Sequence, residues 1–296
     1  MNSQGEQKED GDAAPSSFTC RLDHVRTVTD VLTCLCVNLK KDHPCHIRAT
    51  PEGLTFVVTG KGKSTQASAD LKADLFEEFI CEDDVELTLN LTLLLDCLQL
   101  FGSSDSTTAT MTYSSEDAIF RLSLTDSGVM TNCDLTTQYQ EDFAGIENDL
   151  FAAFRMSPDE IAALVTSDSL KEAVTELAEV PGATAVCFEV TATGMKLSTR
   201  GSGDNVCEIE FPKDTKVFIL FRCDEPRVWT FSLASLQLGM KALGVAKETY
   251  MRINAEGIMS IQHQIESNKH ETFLNFIMVA NEFLEGDGAP EGGDDE

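Results

Sequence analysis

One stretch of the chain indicates how the rest is built: Leu89-Asn90-Leu91-Thr92-Leu93-Leu94-Leu95-Asp96-Cys97-Leu98-Gln99-Leu100-Phe101-Gly102-Ser103-Ser104. Its first residues end a short strand that begins at Val85. The leucines that follow predict a compact apolar helix, which the Gly-Ser-Ser run ends. Three runs of strand length then extend as far as Thr136 and are separated by short polar turns.

The same order returns later in the chain, starting at Arg227. A predicted strand over residues 228–233 leads into a predicted helix over residues 234–243, and three more strand runs follow. A supersecondary unit used twice is the signature of a duplicated fold. We therefore expect two similar domains and not a long solenoid.

The beginning of the first half contains the remaining elements of that domain. Residues 18–24 are predicted to form a strand, and apolar residues at helical spacing from Val25 to Leu39 predict an amphipathic helix. Further strands are predicted on both sides of the turn at residues 50–53 and up to Val85.

The second half is predicted to open in the same order. Residues 151–156 read as a strand, and Ser157 followed by Pro158 is typical of a helix start. Pro181-Gly182 is predicted to end that helix. Because strands outnumber helices and the turns are short, the sequence predicts an α+β fold of two similar domains, each with antiparallel strands and with helices on one face of its sheet.

The predicted boundaries follow from these patterns and from composition. The two tails are rich in Gly, Asp and Glu and are expected to be disordered. The predicted segments are a tail at 1–17, domain one at 18–136, a connector at 137–150, domain two at 151–281 and an acidic tail at 282–296.

Composition excludes several classes of protein. The 296 residues carry a net charge of −28, so a broad basic face for nucleic acid is not expected, although a local basic patch remains open. No run of about 18 apolar residues occurs, which argues against a membrane helix. The ten cysteines have no framework spacing, so reduced thiols and an intracellular location are expected.

Two short motifs suggest ligand sites but fit them poorly. Gly60-Lys61-Gly62-Lys63-Ser64-Thr65 lacks the first P-loop glycine, because Val57 occupies that position, and a strand is predicted to follow. Cysteines and histidines are clustered between residues 34 and 46. They point in different directions on a predicted helix and strand, so buried thiols and surface histidines explain them better than zinc does. No metal and no cofactor are expected.

Carboxylates leave an enzymatic alternative open. A two-metal nuclease needs several acids that converge on the metal ions. The candidates are Asp83-Asp84, Glu208 with Glu210, and Asp294-Asp295. Only Glu208 and Glu210 are predicted to share a strand face, and an acid-rich chain produces such pairs by coincidence.

The stretch from Leu89 to Ser104 resembles a signature of the Rad-One subunits of the nine-one-one DNA-damage checkpoint clamp, a branch of the PCNA-like sliding clamps. Shorter matches extend the resemblance over most of residues 18–280. These matches are Leu22-Asp23-His24-Val25-Arg26, Phe76-Glu77-Glu78-Phe79, Gly128-Val129-Met130-Thr131-Asn132-Cys133, Leu170-Lys171-Glu172-Ala173 and Phe211-Pro212-Lys213-Asp214.

The resemblance implies two sliding-clamp domains, with antiparallel sheets outside and four helices on the inner face. It also implies a non-catalytic subunit of a heterotrimeric ring in the nucleus. Its partners would be Rad-Nine-type and Hus-One-type subunits, a clamp loader, repair factors, and double-stranded DNA that passes through the ring without sequence-specific contacts. The loaded ring would support activation of a checkpoint kinase during the cell cycle. The alternatives that stay open are a 3′-to-5′ DNA exonuclease and a homotrimeric replicative clamp.

The resemblance also implies three groups of site residues. Subunits of such clamps join through edge strands, which here would use Val129, Met130, Thr131, Cys133 and Leu135 on one side and Val206, Cys207, Ile209 and Phe211 on the other. The connector would receive partner peptides near Tyr139, Phe143 and Ile146. The residues expected to face DNA are Arg26, Lys40, Lys41, Lys171, Lys241 and Lys247.

Acidic residues on the third predicted helix qualify the DNA-facing prediction. Asp168, Glu172, Glu176 and Glu179 lie on or near that helix, and Asp96 lies on the second helix. We therefore expect this subunit to contribute less to DNA contact than its partners.

Overall fold

A computed structural model describes residues 17–36, 43–60, 64–102, 104, 106–138, 150–267 and 270–281. Within these residues the chain forms eighteen strands and five α-helices. The first half contains β1 (Phe18–Leu22), α1 (Val25–Leu35), β2 (Pro44–Thr50), β3 (Gly53–Thr59), β4 (Thr65–Lys72), β5 (Glu78–Cys81), β6 (Val85–Asn90), α2 (Leu91–Leu98), β7 (Thr108–Ser114), β8 (Ile119–Asp126) and β9 (Val129–Thr136).

The second half adds one helix and then repeats this order. It contains α3 (Leu150–Met156), β10 (Asp159–Thr166), α4 (Ser167–Ala178), β11 (Ala185–Thr191), β12 (Gly194–Arg200), β13 (Val206–Pro212), β14 (Phe218–Cys223), β15 (Arg227–Ser232), α5 (Leu233–Gly239), β16 (Glu248–Asn254), β17 (Ile258–Ser267) and β18 (His270–Val279). A short 3-10 helix at Lys241–Gly244 continues from α5.

The two halves have the same sheet topology. The strand order β5-β1-β7-β8-β9 in the first half recurs as β14-β10-β16-β17-β18 in the second. The order β6-β2-β3-β4 recurs in the same way as β15-β11-β12-β13. All of the pairings are antiparallel, and the duplication predicted from the sequence is therefore present in the fold.

Paired residues show which residues correspond between the strand sets β5-β1-β7-β8-β9 and β14-β10-β16-β17-β18. One row of neighbouring residues crosses each sheet, and each row starts at a cysteine that donates from its thiol to the carbonyl two residues further on. The two rows are Cys81–Phe18–Tyr113–Phe120–Leu135 and Cys223–Ile161–Ile253–Met259–Met278. Leu135 of β9 is therefore the counterpart of Met278 of β18.

Two glycines fix the equivalence between the other sheets. Gly53 and Gly194 open β3 and β12 with φ values of 144° and 155°, which side chains rarely adopt. A Cβ would lie 2.1 Å from the Leu71 carbonyl oxygen at Gly53 and 2.4 Å from that of Phe211 at Gly194. In each half, the glycine therefore lies where the backbone of the next strand comes close, at Leu71 of β4 and at Phe211 of β13. Phe211 is thus the counterpart of Leu71.

One strand pairing joins the halves. β18 pairs with β4, from Phe273 opposite Asp70 to Met278 opposite Thr65, and this makes a continuous nine-stranded sheet. We call this pairing the internal joint. Its backbone hydrogen bonds are supported by a side-chain bond of 2.8 Å from Thr65 to Ser235 of α5.

Four of the helices form one row over the sheets. α1 contacts β4, and α5 contacts β18, so these two helices lie side by side over the internal joint. α2 contacts α1 on one side of this pair, and α4 contacts the Lys241–Gly244 turn on the other. Asn90, just before α2, caps that helix by accepting from the backbone N–H of Thr92 at 3.1 Å.

The start of the second half corrects the sequence prediction. Residues 151–156 belong to helix α3 and not to a strand, and the residues after Ser157 form β10 and not a helix. Ile161 and Val165 of β10 are buried, because the strand lies between β14 and β16. A continuous apolar run does not distinguish a buried strand from a helix, and the Ser-Pro signal therefore misled the prediction.

Helix α3 packs on the face of the sheet opposite the row of four helices. Phe154 is buried against Ile258 and Ile277, and the Arg252 guanidinium lies 4.9 Å from the Phe154 ring centroid. No helix in the described part of the chain is long and apolar enough to cross a membrane.

His263 predicts a pH dependence of stability. The ring is buried, with Nε2 donating to the Gly239 carbonyl at 2.6 Å and Nδ1 accepting from the Thr249 hydroxyl at 2.9 Å, and burial lowers its pKa to about 4. As the pH falls below about 6.5, the unfolded chain binds the proton first. The free energy of unfolding should therefore decrease between about pH 6.5 and pH 4, by at most about 1.4 kcal/mol per pH unit.

Urea unfolding across this range would measure the effect, with His263→Gln as the matched variant. Glutamine can keep one donor and one acceptor but cannot take up the proton. The variant should lose this part of the pH dependence, and an unchanged dependence would contradict the assignment.

Candidate subunit edges and DNA-facing helices

Strand β9 is one predicted edge. It pairs with β8 and is the outermost strand of its sheet in the described residues. Val129 and Met130, near its start, are 57% and 67% exposed. The edge therefore presents apolar side chains next to backbone groups that a further strand could pair with.

The two faces of β9 differ. Leu135 is buried and Cys133 half-buried on the core side, whereas Asn132 and Asp134 are exposed on the outer side. Cys97 of α2 lies within hydrogen-bonding range of Cys133. Burial, with Cys133 as the second cause, raises the pKa of the Cys97 thiol to about 11. The core side of β9 thus contacts α2 through these two cysteines.

Strand β13 is the other predicted edge. It pairs with β12 and is outermost in the four-stranded sheet of the second half. Phe211 is buried and Ile209 half-buried on the core side, and Val206 is 51% exposed. Glu208 and Glu210 are exposed on the outer side. Both predicted interface strands are thus outermost among the described residues, and their role as subunit interfaces stays a prediction.

The internal joint gives these two strands a special position among the edges. β9 is the counterpart of β18 and β13 is the counterpart of β4, and β18 and β4 are the strands that pair within the chain. β5, β6, β14 and β15 are also outermost, but none of them has a counterpart that pairs across the halves. β9 and β13 are therefore the two open sides of the same kind of joint.

The predicted basic residues have different environments. Arg26 lies on α1, where its Nε is 3.8 Å from Asp30. Lys171 is exposed on α4, and its ammonium lies close to Gly244. Lys247 is exposed just before β16. Lys40 and Lys41 lie outside the described residues.

Lys241 has a role that sequence reasoning missed. Its ammonium donates to the carbonyls of Thr33, at 3.1 Å, and Cys36. These carbonyls belong to the last turn of α1, where the helix dipole favours a positive charge. A lysine from the second half therefore caps a helix of the first half. Only the side-by-side packing of α1 and α5 over the internal joint brings these groups together.

The exposed faces of the other helices are not basic. α2 presents Asp96 with the apolar Leu93, and α4 presents Glu172 and Glu176 beside Lys171. Among the described helical residues, exposed acids thus outnumber exposed bases. The predicted connector residues Tyr139, Phe143 and Ile146 lie outside the described residues.

Sequence comparison identifies the family. The family model described as repair protein Rad1/Rec1/Rad17 matches residues 17–265. The mouse cell cycle checkpoint protein RAD1 is 31% identical over 251 residues, which are 83% of this chain and 85% of that protein. The human protein is 28% identical, with coverage of 85% and 86%.

The chain belongs to the Rad1 family. A more distant relative is the DNA damage checkpoint control protein rad1 of Schizosaccharomyces pombe. It is 23% identical, with coverage of 86% of this chain and 84% of that protein. Among solved structures, the PCNA2–PCNA3 complex of Sulfolobus tokodaii matches with a TM-score of 0.71 at 11% identity, and the match covers 89% of this chain and 99% of that one. The fold of this Rad1-family chain is therefore the PCNA-like clamp fold.

The carboxylates considered for a nuclease do not meet in this Rad1-family structure. Glu208 and Glu210 point outward from an edge strand, and Asp84 pairs with Arg48 at 2.7 Å. Asp294 and Asp295 lie outside the described residues. In the part of the chain that the structure describes, no three His, Cys, Asp or Glu side chains form a group that could hold a metal ion.

The residues considered for zinc or nucleotide are placed by the fold in other roles. Cys34 and Cys45 are buried, and burial raises the pKa of each thiol, which disfavours the thiolate that binds metal. Thr65 opens strand β4, whereas a P-loop would continue into a helix. Residues 61–63 of that motif lie outside the described residues.

The Lys241 cap predicts an unequal effect of removing two lysines. Lys241→Met should lower the free energy of unfolding by about 1–2 kcal/mol, because the last carbonyls of α1 lose their charged donor. Lys171→Met, on the exposed face of α4, should change it by no more than about 0.5 kcal/mol. Urea unfolding would compare the two variants, and equal effects would contradict the capping role.

Proposed function

We propose that this member of the Rad1 family is one non-catalytic subunit of a heterotrimeric checkpoint clamp that encircles DNA in the nucleus. Rad-Nine-type and Hus-One-type subunits would complete the ring, and a clamp loader would place it at damaged DNA. The loaded ring would support checkpoint kinase activation and recruit repair factors. Family membership and the clamp fold support the role of a checkpoint clamp subunit.

The observation that carries the proposal is the relation between the internal joint and the open edges. β4 and β18 join the halves of this chain, and their counterparts β13 and β9 each have one edge without a partner strand among the described residues. Each subunit can therefore use the same kind of joint on both sides. A repeated head-to-tail joint closes a ring when its rotation divides a full turn evenly.

DNA would pass along the row formed by α1, α2, α4 and α5. The exposed acids on α2 and α4 would keep this subunit's attraction for phosphate weak. Weak, sequence-independent contact suits a ring that is held on DNA by its topology and has to slide.

Assembly tests the proposal. The purified chain should be a monomer in solution and should form a one-to-one-to-one complex when co-expressed with Rad-Nine-type and Hus-One-type subunits, as measured by light scattering. A stable homotrimer would favour a self-sufficient replicative clamp. A monomer under both conditions would contradict the ring.

Two variants at Asn132 make this test specific to the β9 edge. In the β8–β9 hairpin, Val129 pairs with Asp126 across a two-residue turn, so the backbone N–H of Asn132 points away from β8. Asn132→Pro removes this donor, whereas Asn132→Ala keeps it, and both lose the 2.7 Å bond from Ser123. Only the proline variant should lose one of the two partners, and it should keep the other.

DNA contact is tested by the salt dependence of ring retention on DNA. Each phosphate contact that is lost lowers the slope of the logarithm of affinity against the logarithm of salt by about one. Changing Lys40, Lys41 and Lys171 together to Glu should lower the slope by less than about one. Lys241 is left unchanged, because its ammonium is bound to α1. A decrease of the slope by about three, one for each lysine, would show that all three side chains contact phosphate. That result would contradict the weak DNA contact proposed for this subunit.

A further inference from the structure

The outer side of the internal joint shows how this chain accommodates a carboxylate between paired strands. Asp70 of β4 lies opposite Phe273 of β18. Its carboxylate accepts from Thr55 at 3.0 Å and from the Asn275 amide at 3.1 Å. Burial raises the pKa of Asp70. One carboxylate is therefore held by neutral donors, and the residue two positions before it, Ser68, is uncharged.

The open strand β13 carries more charge at the same positions. Because Phe211 corresponds to Leu71, Glu210 corresponds to Asp70 and Glu208 corresponds to Ser68. Two carboxylates therefore lie where the internal joint has one. Both are exposed in the single chain, and a strand paired with β13 would take them partly out of water.

The cation on the neighbouring strand, Lys196, is already engaged. Lys196 of β12 lies opposite Glu210, but its ammonium pairs with Glu189 at 2.7 Å. Glu189 is the main cause of the raised pKa of Lys196, and Glu208 and Glu210 contribute less. Neither Glu208 nor Glu210 has an ion-pair partner within 4.0 Å among the residues that the structure describes. The charge of β13 is left for the incoming strand to neutralise.

A second copy of this chain does not supply the missing charge. The correspondence of Leu135 with Met278 would place Met130 opposite Glu210 and Asn132 opposite Glu208. Asp134 would follow on the same outer side. Arg121 lies opposite Asp134 but forms an ion pair with Asp117. Self-pairing would therefore bury two carboxylates next to a third, which is unfavourable.

We propose that Glu208 and Glu210 select the partner at the β13 edge, and that the strand which pairs there carries Lys or Arg on its outer side opposite them. The inference rests on the proposed function, because it needs a partner subunit. It gives the glutamate pair a role in specificity. Charges placed across an interface exclude wrong partners and fix the register of the strands.

The experiment measures the affinity of each partner subunit separately by surface plasmon resonance. The Asn132→Pro variant first identifies the partner at β9, so the other partner is the one at β13. Glu208→Lys with Glu210→Lys should weaken the β13 partner by about 100-fold or more. Glu208→Gln with Glu210→Gln should weaken it by about tenfold, and neither pair should change the β9 partner.

Two controls separate selection by charge from general effects. Glu172→Lys with Glu176→Lys makes the same change in net charge on the exposed face of α4, the helix that packs against β13, but outside the strand pairing, and should alter affinity by less than about threefold. Changing the basic residues of the partner's strand to Glu should restore binding to the Lys pair. The Gln pair keeps the side-chain size, so it tests the role even if the Lys pair folds poorly.

The outcomes distinguish this inference from the proposed function. If the native chain binds both partners and the Gln and Lys pairs lose less than about threefold, Glu208 and Glu210 do not select the partner, and the ring stands. If the native chain binds neither partner, the ring proposal is wrong and this inference falls with it.

Discussion

Backbone pairing between β4 and β18 is the interaction on which the arrangement of this molecule depends. It merges a sheet from each half into one and brings α1 beside α5, so that Lys241 reaches the last turn of α1. The pairing uses β4 and β18 and leaves one edge of each of their counterparts, β13 and β9, unpaired in the described residues. A duplicated chain with a single internal joint ends in two complementary edges, and the proposed assembly would follow from the duplication itself.

The charge distribution separates this subunit from a simple DNA-binding protein. A net charge of −28 over the chain is not reversed on the described helices, where Asp96, Glu172 and Glu176 are exposed and Lys241 is bound to backbone carbonyls. Burial of apolar side chains against the sheets fixes which helical faces are exposed, and the sequence then decides their charge. Such a face gives little electrostatic attraction to phosphate. Retention on DNA would then depend on closure of the ring, and closure depends on the edges.

Much of the fold could be predicted from the sequence because local signals agreed with the tertiary structure. The Leu89–Ser104 stretch has a cap at Asn90 and an apolar face, and its repetition after Arg227 revealed the duplication. The prediction failed at Ser157–Thr166, where a helix-start signal precedes a strand buried on both sides. Lys241 could not be assigned either. Its partners are about 200 positions away in sequence, and no local pattern records a contact made by packing.

Glu208 and Glu210 show how structure changes the meaning of a sequence pattern. Two acids on one strand face suggest metal chemistry only if other ligands converge on them, and an edge strand turns them toward solvent instead. At that edge the same charges become costly once a neighbouring strand covers them, unless the neighbour brings cations. The cost acts against a second copy of this chain more than against a basic partner. In the proposed ring, a fold whose duplication favours joining like to like would thereby be directed toward unlike subunits by two side chains on one strand.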